Sequence, residues 1–392
     1  MKAIDSDVLK VREVEKPKIG DDQVLIEVAA SSVNWADLWK RANFRTKVRT
    51  ATSSKPNLGL ECSGRIVEVG SHITRWKIGD EVCGIVSGGG YAELVAVCDK
   101  LVIPIPMGIP LREAAALPLS ACLIWHCFFK LNRVRQDQII LIHRAAGGVG
   151  SLAIQILKYY GCHVYITAGT REKLAFCKGL GAEVCINYRK ENFYQRVFEE
   201  TQGKGVDYIL DHCGDNFLEN NLYSLAIGGT LILTGSKSEF SNVKIDLGVI
   251  VAKKISITGG NSLSLSPAAH ATLLNDVEKN IWPAIAQQRI RPVIYKSFKF
   301  IEAAGAHTAM QKSINLGKYL RSVDLDTGRD RWQWKYRVGF EDRRGGRWMV
   351  VGSVGNGLRE QEMRHGSGDG AGDGDEEEAG CCEEVDCYLF KA

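Results

Sequence analysis

Hydrophobic and polar residues alternate along the first third of the chain, which is the pattern of half-buried β-strands. Short apolar or alternating runs occur at Val24–Val28, Gly64–Gly70, Glu81–Val86 and Tyr91–Val97. Glycine turns, such as Gly79-Asp80 and Gly88-Gly89-Gly90, separate these runs. Many short strands joined by glycine turns predict a compact, barrel-like β domain over about residues 1–115.

A second rhythm begins near Gln138, where strand-length apolar runs alternate with helical patterns. We predict strands at 138–143, 163–168, 184–186, 206–211, 230–234 and 255–258. The helices predicted between them include Glu172–Leu180, Phe193–Thr201 and Phe217–Ser224. The pattern then predicts a helix at Pro267–Gln287, a strand at Val293–Tyr295, a helix near Ile301–Gln311 and a short strand near Lys318–Val323. Strands alternating with helices predict a doubly wound parallel sheet, so the fold class is α/β.

The character of the chain changes near Val323. Residues 324–392 combine tryptophans at 332 and 334, a basic run at 343–347, a glycine-rich stretch at Gly366–Gly374 and an acidic run at Glu376–Glu378. Mixed charge without sustained periodicity predicts a mostly disordered tail. A short hairpin around Trp332–Val351 is the alternative for its first part.

Charge, hydropathy and cysteine usage narrow the classes of function. The net charge of +4 is spread along the chain, so we expect no nucleic-acid partner. No apolar stretch reaches the ~20 residues that span a bilayer, and the N-terminus lacks a signal-like apolar region. We therefore expect a cytoplasmic protein without a membrane partner. Nine of the 12 cysteines lie between Cys62 and Cys213 without zinc-ribbon spacing, which predicts buried thiols and no metal site.

The segment Gln138–Gly150 carries the clearest chemical signal. An apolar strand, Ile139–Ile142, leads into Ala145-Ala146-Gly147-Gly148-Val149-Gly150, and a helical pattern follows from Leu152 to Tyr160. A strand, a glycine turn and a helix in this order form a dinucleotide-binding fingerprint, whose backbone N–H groups and helix dipole face a pyrophosphate. A tight turn in another kind of α/β unit is the alternative, because a glycine triplet alone is a weak signal.

Motifs in order along residues 1–320 resemble those of the medium-chain dehydrogenase/reductase superfamily. They are Val24–Asp37, Gly59–Gly64, Trp76–Val82, Ser87–Glu93, Ala145–Gly150, Thr167–Leu174, Leu180–Tyr188 and Gly205–Asp211. Within the superfamily the chain is similar to the zinc-free quinone oxidoreductases of the zeta-crystallin-like branch, and especially to its plant members. The resemblance implies a GroES-like substrate domain at 1–118, a Rossmann domain at 119–266, a return to the substrate domain at 267–323 and an atypical tail at 324–392.

The zinc ligands of relatives are missing from two of these motifs. Zinc-dependent relatives place a cysteine where this chain has Asn34-Trp35-Ala36-Asp37, and a histidine in Gly-His-Glu where it has Gly59-Leu60-Glu61. Leucine cannot bind zinc, and without a Lewis acid alcohol oxidation is not expected. The resemblance therefore implies hydride transfer to a substrate that is already electrophilic, a quinone or an enone.

The predicted strand at His163–Ala168 ends without the acidic residue that binds the ribose hydroxyls in NAD-specific sites. It is followed by Thr170, Arg171 and Lys173, whose hydroxyl and cationic groups suit a 2′-phosphate. In the family, positions matching Lys173 and Tyr188 hold this phosphate, with Thr170 nearby. We therefore predict NADPH as the cofactor.

The resemblance also implies roles for positions around the cleft. Asn34 matches a position beside the nicotinamide, so it is the candidate catalytic residue, whose amide would bond a quinone oxygen; a structural turn asparagine is the alternative. Tyr91 and Phe44 are the candidate substrate-binding residues, although Tyr91 could simply pack. Gly214 and Gly235 match loops close to the cofactor, where a side chain would block its approach.

The chain departs from the family pattern at several positions. Arg144 replaces a small residue before the glycine turn, Leu123 replaces a threonine that helps to hold the cofactor, and residues 43–56 replace a short Tyr-Pro-Pro loop. The closing strand has Arg321-Ser322-Val323 in place of its apolar end, so we expect a weakened or displaced strand.

Together these residues predict a zinc-independent, NADPH-dependent quinone oxidoreductase. An alkenal or enone reductase is one alternative, because pocket shape decides between the two substrates. A non-enzymatic NADPH-binding protein is the other, and the departures from the family pattern favour it modestly. The family commonly forms homodimers, and the apolar strand at Ile255–Thr258 is the candidate edge for one here.

Overall fold

The computed structural model of the protein describes residues 9–45, 58–235, 244–323, 335–341 and 348–349. For some of these residues, including 41–45 and 335–341, it describes the backbone alone. Most of the loop at 43–56 and most of the predicted tail lie outside the described residues.

The strands, in chain order, are β1 (Leu9–Val14), β2 (Gln23–Val33), β3 (Glu61–Val69), β4 (Glu81–Ile85), β5 (Leu94–Cys98), β6 (Val102–Pro104), β7 (Ile139–Ile142), β8 (His163–Ala168), β9 (Val184–Asn187), β10 (Val206–Asp211), β11 (Leu225–Leu233), β12 (Ser256–Gly259), β13 (Ile294–Lys299), β14 (Lys318–Ser322), β15 (Lys335–Glu341) and β16 (Trp348–Met349). The α-helices are α1 (Trp35–Arg45), α2 (Pro118–Ile124), α3 (Gly148–Tyr159), α4 (Arg171–Gly179), α5 (Phe193–Glu200), α6 (Asp215–Ser224), α7 (Leu247–Lys253), α8 (Pro267–Asn280), α9 (Trp282–Ala286) and α10 (Ala303–Gln311).

The second half of the chain forms a parallel sheet in the order β12-β11-β10-β7-β8-β9. Its central strand β7 is a run of isoleucine and leucine, of which Ile140, Leu141 and Ile142 are completely buried. Continuous apolar strands of this kind belong to sheets covered by helices on both faces. The order reverses between β7 and β10, which is where doubly wound sheets bind ligands. The predicted α/β fold class is confirmed.

The first half forms a seven-stranded sheet in the order β13-β14-β2-β3-β4-β6, with β5 also paired to β2. Strands β2 to β6 come from residues 23–104, and β13 and β14 return from residues 294–322. Strand β14 lies between β13, to which it is parallel, and β2, to which it is antiparallel. The late segment therefore completes the sheet of the early one, in the manner of a GroES-like domain. The exact domain boundaries stay predictions.

Several helices differ from the sequence-based expectations. The predicted helix at Pro267–Gln287 is two helices, α8 and α9, which meet at Ile281. Pro283 lies in the first turn of α9, where its missing N–H costs nothing, whereas it would break the middle of one long helix. The patterns did not predict α1 or α7.

A continuous helical stretch at Glu113–Leu131 is long and apolar enough to cross a membrane by length and composition. However, 72% of its apolar window is buried inside the molecule. The stretch includes α2 and a turn of π-helix at Trp125–Leu131. A buried core helix passes the same test, so this finding is weak support for a membrane span.

The closing strand is in place, contrary to the expectation that Arg321 would displace it. Arg321 is completely buried on β14, and its two terminal nitrogens donate to the carbonyl oxygens of Phe300 (3.3 Å) and Gly90 (3.2 Å). Its guanidinium carbon lies 4.6 Å from the ring centre of Tyr91 and 4.2 Å from that of Phe300. Burial lowers the pKa of Arg321 to about 10. Aromatic faces and carbonyl groups thus compensate this cation in the core.

The first part of the tail contains two strands, whereas most of the residues for which we predicted disorder lie outside the described part of the chain. β15 pairs antiparallel with β1 from Leu9↔Phe340 to Val14↔Lys335, and with β16 at Phe340↔Met349 and Glu341↔Trp348. The alternative prediction, a hairpin within Trp332–Val351, is confirmed. The acidic run and the last three cysteines lie outside the described residues.

The cysteines behave as apolar residues. Of the nine described, all are free and seven are buried, and burial raises the pKa of thiols such as Cys62 and Cys127 to about 12. Protonated, buried thiols are inert and pack like small apolar side chains. The prediction of buried thiols is therefore confirmed for most of them.

Candidate functional site

The glycine turn lies at the carboxyl end of β7, at the switch point of the parallel sheet. The backbone N–H of Ala145 donates to Thr167 O at 3.1 Å, which ties the turn to β8. Gly147 is the N-cap of the twelve-residue helix α3. A Cβ on Gly150 would overlap the carbonyl group of Ala145, so only glycine allows the strand and helix to pack this closely.

The turn leaves room for a ligand on its outer side. A Cβ on Gly147 or Gly235 would meet no atom within 4 Å, so both glycines face open space. The N–H groups at the start of α3, those of Gly148, Val149 and Gly150, have no partner within the helix. Free N–H groups at a helix N-terminus favour a phosphate, so the shape and the donors fit a dinucleotide.

The closing strand contacts this turn directly. The N–H of Gly317 donates to Ala146 O at 2.9 Å, and Gly147 and Gly317 form an isolated parallel bridge. A Cβ on Gly148 would overlap the side chain of Lys318. The lysine stem therefore crosses over the glycine turn, and Gly148 is needed to let it pass.

The ammonium group of Lys318 ends in a buried polar cluster between the two sheets. It lies 2.8 Å from Glu61 Oε1, 2.7 Å from Asn34 Oδ1 and 3.3 Å from Ser32 Oγ. Glu61 also accepts a hydrogen bond from the Ser32 hydroxyl, and its Oε2 accepts one from the N–H of Leu119 at 2.8 Å. Lys318 is 5% exposed and Glu61 is not exposed at all, so the pair is desolvated.

The cluster contains Asn34, the predicted catalytic residue. Its amide nitrogen donates to Glu61 Oε1 at 3.0 Å and to Ser32 Oγ at 3.1 Å, while its oxygen accepts from Lys318. Both N–H groups thus have protein partners in this structure. A bond to a quinone oxygen would have to replace one of them, and a catalytic role for Asn34 stays a prediction.

Asp37 fixes the backbone around Asn34. Its carboxylate accepts the N–H of Asn34 at 3.0 Å and that of Gly59 at 2.8 Å, so it joins the start of α1 to the segment before β3. Asp37 is completely buried, and burial raises its pKa from 3.8 to about 6 despite these two hydrogen bonds. The cost of desolvation exceeds the stabilisation from the backbone donors.

Three cations lie together near Tyr188, beside the ends of β8 and β9. The guanidinium carbon of Arg144 lies 5.4 Å from the centre of the Tyr188 ring, and that of Arg189 lies 6.0 Å from it. Burial, Arg189 and Arg144, in that order, lower the pKa of Lys173. Lys173 donates to the carbonyl oxygen of Ser313, and Thr170 caps α4 by accepting the N–H of Lys173 at 3.3 Å. The structure thus brings the predicted residues Thr170, Lys173 and Tyr188 together.

Gly214 lies in a loop that a buried network holds at the end of β10. The Asp211 carboxylate accepts the N–H groups of Cys213 at 2.5 Å and Gly214 at 3.3 Å, and the Asn221 amide at 2.8 Å. Asn221 in turn accepts from His143 at 2.7 Å, and burial lowers the pKa of that histidine. Gly214 has a φ of 88°, and Gly235 one of 97°, so both loops require glycine.

Of the two predicted substrate-binding residues, the structure describes the side chain of Tyr91 but not that of Phe44. Tyr91 is completely buried, with its hydroxyl 3.1 Å from His307 Nε2, so it packs in this structure and exposes no surface to a substrate. Phe44 lies on α1, but its side chain is outside the described part of the chain. Contact of either residue with substrate stays a prediction.

Sequence reasoning missed three residues of this region, Lys318, Glu61 and Arg189. Lys318 and Glu61 are 257 positions apart, so no local pattern relates them. The sign that could have pointed to Lys318 is its place at the start of β14, a strand whose residues are mostly buried. Arg189 follows Tyr188 directly and was the simpler of the three to find.

The donor set does not fit a zinc ion. Within the described residues, no group of three or more His, Cys, Asp or Glu side chains could hold a metal ion. In the two motifs where zinc-dependent relatives have their ligands, this chain has the amide of Asn34 and the apolar Leu60, and the carboxylate of Glu61 next to it is already paired with the Lys318 ammonium. A cation at this position would be repelled by the lysine and would lack thiolate or imidazole ligands.

Comparison with known proteins gives the family. Residues 20–107 match the family model "Alcohol dehydrogenase GroES-like domain", and residues 148–277 match "Zinc-binding dehydrogenase". Among solved structures, quinone oxidoreductase from Escherichia coli in complex with NADPH is 26% identical, with a TM-score of 0.74 over 82% of this chain and 98% of that one. CurK enoyl reductase is 25% identical, with a TM-score of 0.69 over 79% of this chain and 94% of that one.

A curated relative is much longer. The chain is 29% identical over 320 residues to a phenolphthiocerol/phthiocerol polyketide synthase of Mycobacterium tuberculosis. The match covers 81% of this chain but only 14% of the synthase polypeptide. A GroES-like half followed by a parallel, dinucleotide-binding half, both matched in chain order, shows that the chain belongs to the medium-chain dehydrogenase/reductase superfamily.

Proposed function

We propose that this chain is an NADPH-dependent quinone oxidoreductase that works without zinc and belongs to the plant-type, zeta-crystallin-like branch. One observation carries the proposal: within the described residues, an open glycine turn has cations without an ion-pair partner on one side and the Lys318 cluster on the other. The cations suit the 2′-phosphate of NADPH, and the cluster suits an acceptor that gains negative charge. The likeness to a quinone oxidoreductase in complex with NADPH supports both parts.

Residues of this chain would hold the cofactor at two phosphate sites. The N–H groups of the turn at Gly147–Gly150 face the pyrophosphate, while Thr170, Lys173 and Tyr188 bind the 2′-phosphate. When bound, NADPH supplies a hydride. β8 ends without an acidic residue that could accept hydrogen bonds from the free ribose hydroxyls of NADH. We therefore propose NADPH, and not NADH, as the cofactor.

The polar cluster would act on the acceptor through its charge. A quinone that receives a hydride becomes an anion, and the Lys318 ammonium lies in a buried polar cluster beside the turn. A fixed cation in such a place stabilises developing negative charge without reorganisation. Glu61, Ser32 and Asn34 hold that ammonium in one position.

Reduction of an activated C=C bond is the second candidate. Its support is specific: a polyketide synthase and CurK enoyl reductase are among the similar proteins. An enone or enoyl thioester also becomes an anion when a hydride reaches its β-carbon, so the same cluster would serve. The shape of the cleft decides between the two substrates.

The test is NADPH consumption by the purified chain with 1,4-benzoquinone and 9,10-phenanthrenequinone. NADH, trans-2-hexenal and crotonyl-CoA run in parallel. Turnover of quinones with NADPH supports the main proposal, whereas turnover of the enal or the thioester alone favours the second. Binding of NADPH without turnover on any acceptor would make the chain a binding protein.

We also propose that the chain forms homodimers and works in the cytoplasm. β12 is an edge strand whose Ile257 is 38% exposed, and on α7, which precedes it, Leu247 and Val251 are 68% and 77% exposed. An apolar sheet edge of this kind suits pairing with a second copy.

Free thiols fit a reducing compartment. Light scattering on wild type and Val251→Glu, and a fluorescent fusion in cells, test the two statements.

A further inference from the structure

Arg144 has an unusual position for an arginine. It follows β7, in the turn that leads to the glycines, with a φ of 46°, which is uncommon for any residue except glycine. Its N–H donates to Thr167 Oγ1 at 3.1 Å, so the strained backbone is held in place. Strain of this kind gathers at functional sites, where the rest of the structure imposes it.

The side chain of Arg144 is packed but not satisfied. Its guanidinium lies over the rings of Tyr188 and Phe217, 5.4 Å and 5.8 Å from their centres. Its Nε is buried and has no hydrogen-bond partner. Buried polar atoms normally have hydrogen-bond partners, so this N–H is a donor that a bound acceptor would satisfy.

The surroundings of Arg144 carry positive charge that the protein does not balance. Lys173 and Arg189 lie close enough to act on each other electrostatically, and the nearest acid on α4, Glu172, is exposed. Across the described ranges, none of these three cations takes part in an ion pair. Three neighbouring cations, with no carboxylate bound to any of them, need an anion.

The place of the cluster in the sheet tells which anion fits. Tyr188 and Lys173 follow β9 and β8, on the side of β7 away from the switch point. In doubly wound sheets the residues about 20 positions after the glycine turn face the adenosine ribose, not the pyrophosphate. Gly169 lets Tyr188 and Arg189 pack closely against the end of β8, since a Cβ there would lie 2.9 Å from the Tyr188 hydroxyl and 3.0 Å from Arg189 Nε.

We propose that Arg144 determines cofactor specificity in this chain by binding the 2′-phosphate of NADPH together with Lys173 and Arg189. The inference rests on the proposed NADPH dependence and adds a ligand that departs from the family pattern. Arginine presents two N–H groups in one plane to a phosphate, and the Tyr188 ring keeps that plane oriented. A residue that departs from the family pattern would thus strengthen the site.

The test compares wild type with Arg144→Gln by fluorescence titration with NADPH, NADH, 2′,5′-ADP and 5′-AMP. Loss of a charged hydrogen-bond donor should weaken NADPH and 2′,5′-ADP about 10- to 100-fold. NADH and 5′-AMP should change less than about twofold, and Arg144→Lys should recover part of the loss. Arg133→Gln is the matched control, because Arg133 is exposed and also has a positive φ, of 49°.

The outcomes separate this inference from the proposed function. Equal losses for NADPH and NADH, or unchanged binding of 2′,5′-ADP, would overturn the role of Arg144 and leave the NADPH proposal standing. Equal affinity of wild type for NADPH and NADH would overturn the NADPH proposal as well. A wild type that binds neither dinucleotide would refute both proposals. Arg144→Gly, which relieves the positive φ, repeats the test if the glutamine variant does not fold.

Discussion

The buried pair of Lys318 and Glu61 allows a sharp test of how the late strand β14 is held in the sheet formed by the early strands. Lys318→Met removes the ammonium and keeps most of the stem over Gly148, while Glu61→Gln keeps the shape and removes the charge. Each change leaves the other member of the pair charged in a desolvated place. We expect each single variant to lose stability, and the double variant to lose less than their sum.

The structure sets the size of the effect. Breaking a buried ion pair from one side costs about 3–5 kcal/mol. Lys318→Met should lie near the lower value, because Glu61 keeps the hydroxyl of Ser32, the amide of Asn34 and the N–H of Leu119. Glu61→Gln should cost at least as much, since the ammonium would then face neutral acceptors, such as Asn34 Oδ1 and Ser32 Oγ, in place of a carboxylate. A coupling of at least about 1.5 kcal/mol follows for residues in one network.

Urea unfolding followed by tryptophan fluorescence measures these values. A loss of about 3 kcal/mol corresponds to a fall in the melting temperature of roughly 6–12 °C. Lys77→Met is the control, because Lys77 is exposed, and it should change stability by less than about 0.5 kcal/mol. Additive single variants, or singles as stable as wild type, would refute the view that this pair is a coupled, desolvated unit.

Three further predictions follow from single features. Gly147→Ala should fold normally and lose NADPH affinity at least about tenfold by titration, because its Cβ meets only open space, whereas Gly150→Ala should lower the melting temperature through its overlap with Ala145. Since the pKa of Asp37 is about 6 in the folded protein and 3.8 otherwise, the folded state binds this proton more tightly. Stability should therefore fall as pH rises from about 4 to 6 and then level off, and Asp37→Asn should flatten this slope in urea midpoints measured across the range. A chain that ends at Val323 should keep its two large sheets and its NADPH affinity, since β15 and β16 pair only with β1 and each other; loss of the circular dichroism melt would contradict this.

The sequence was most informative where one element supplies the whole signal. Strand β7 and the glycine turn follow from a local run of apolar residues and glycines, and the structure has them within one or two positions. The Lys318 cluster could not be predicted in the same way, because its members come from β2, β3 and β14 and meet only after the sheet closes. For Arg321 the sequence led to a wrong prediction, because an arginine in a closing strand indicates a weakened strand. Its compensating partners, Tyr91 and Phe300, are known only from the structure.

The position of β14 has a consequence for the synthesis of the chain. Its partner β2 is made first, and β14 follows about 280 residues later, which at 5–20 residues per second is on the order of 15–60 s. The parallel sheet is contiguous from β7 to β12 and can form on the ribosome in the meantime. The end of β2 at Ala30–Val33, which pairs with β14, must wait with unpaired N–H and C=O groups, the kind of edge that recruits other strands. Release of the nascent chain before residue 318 would leave that edge open permanently, so incomplete products should aggregate even though their nucleotide-binding half has folded.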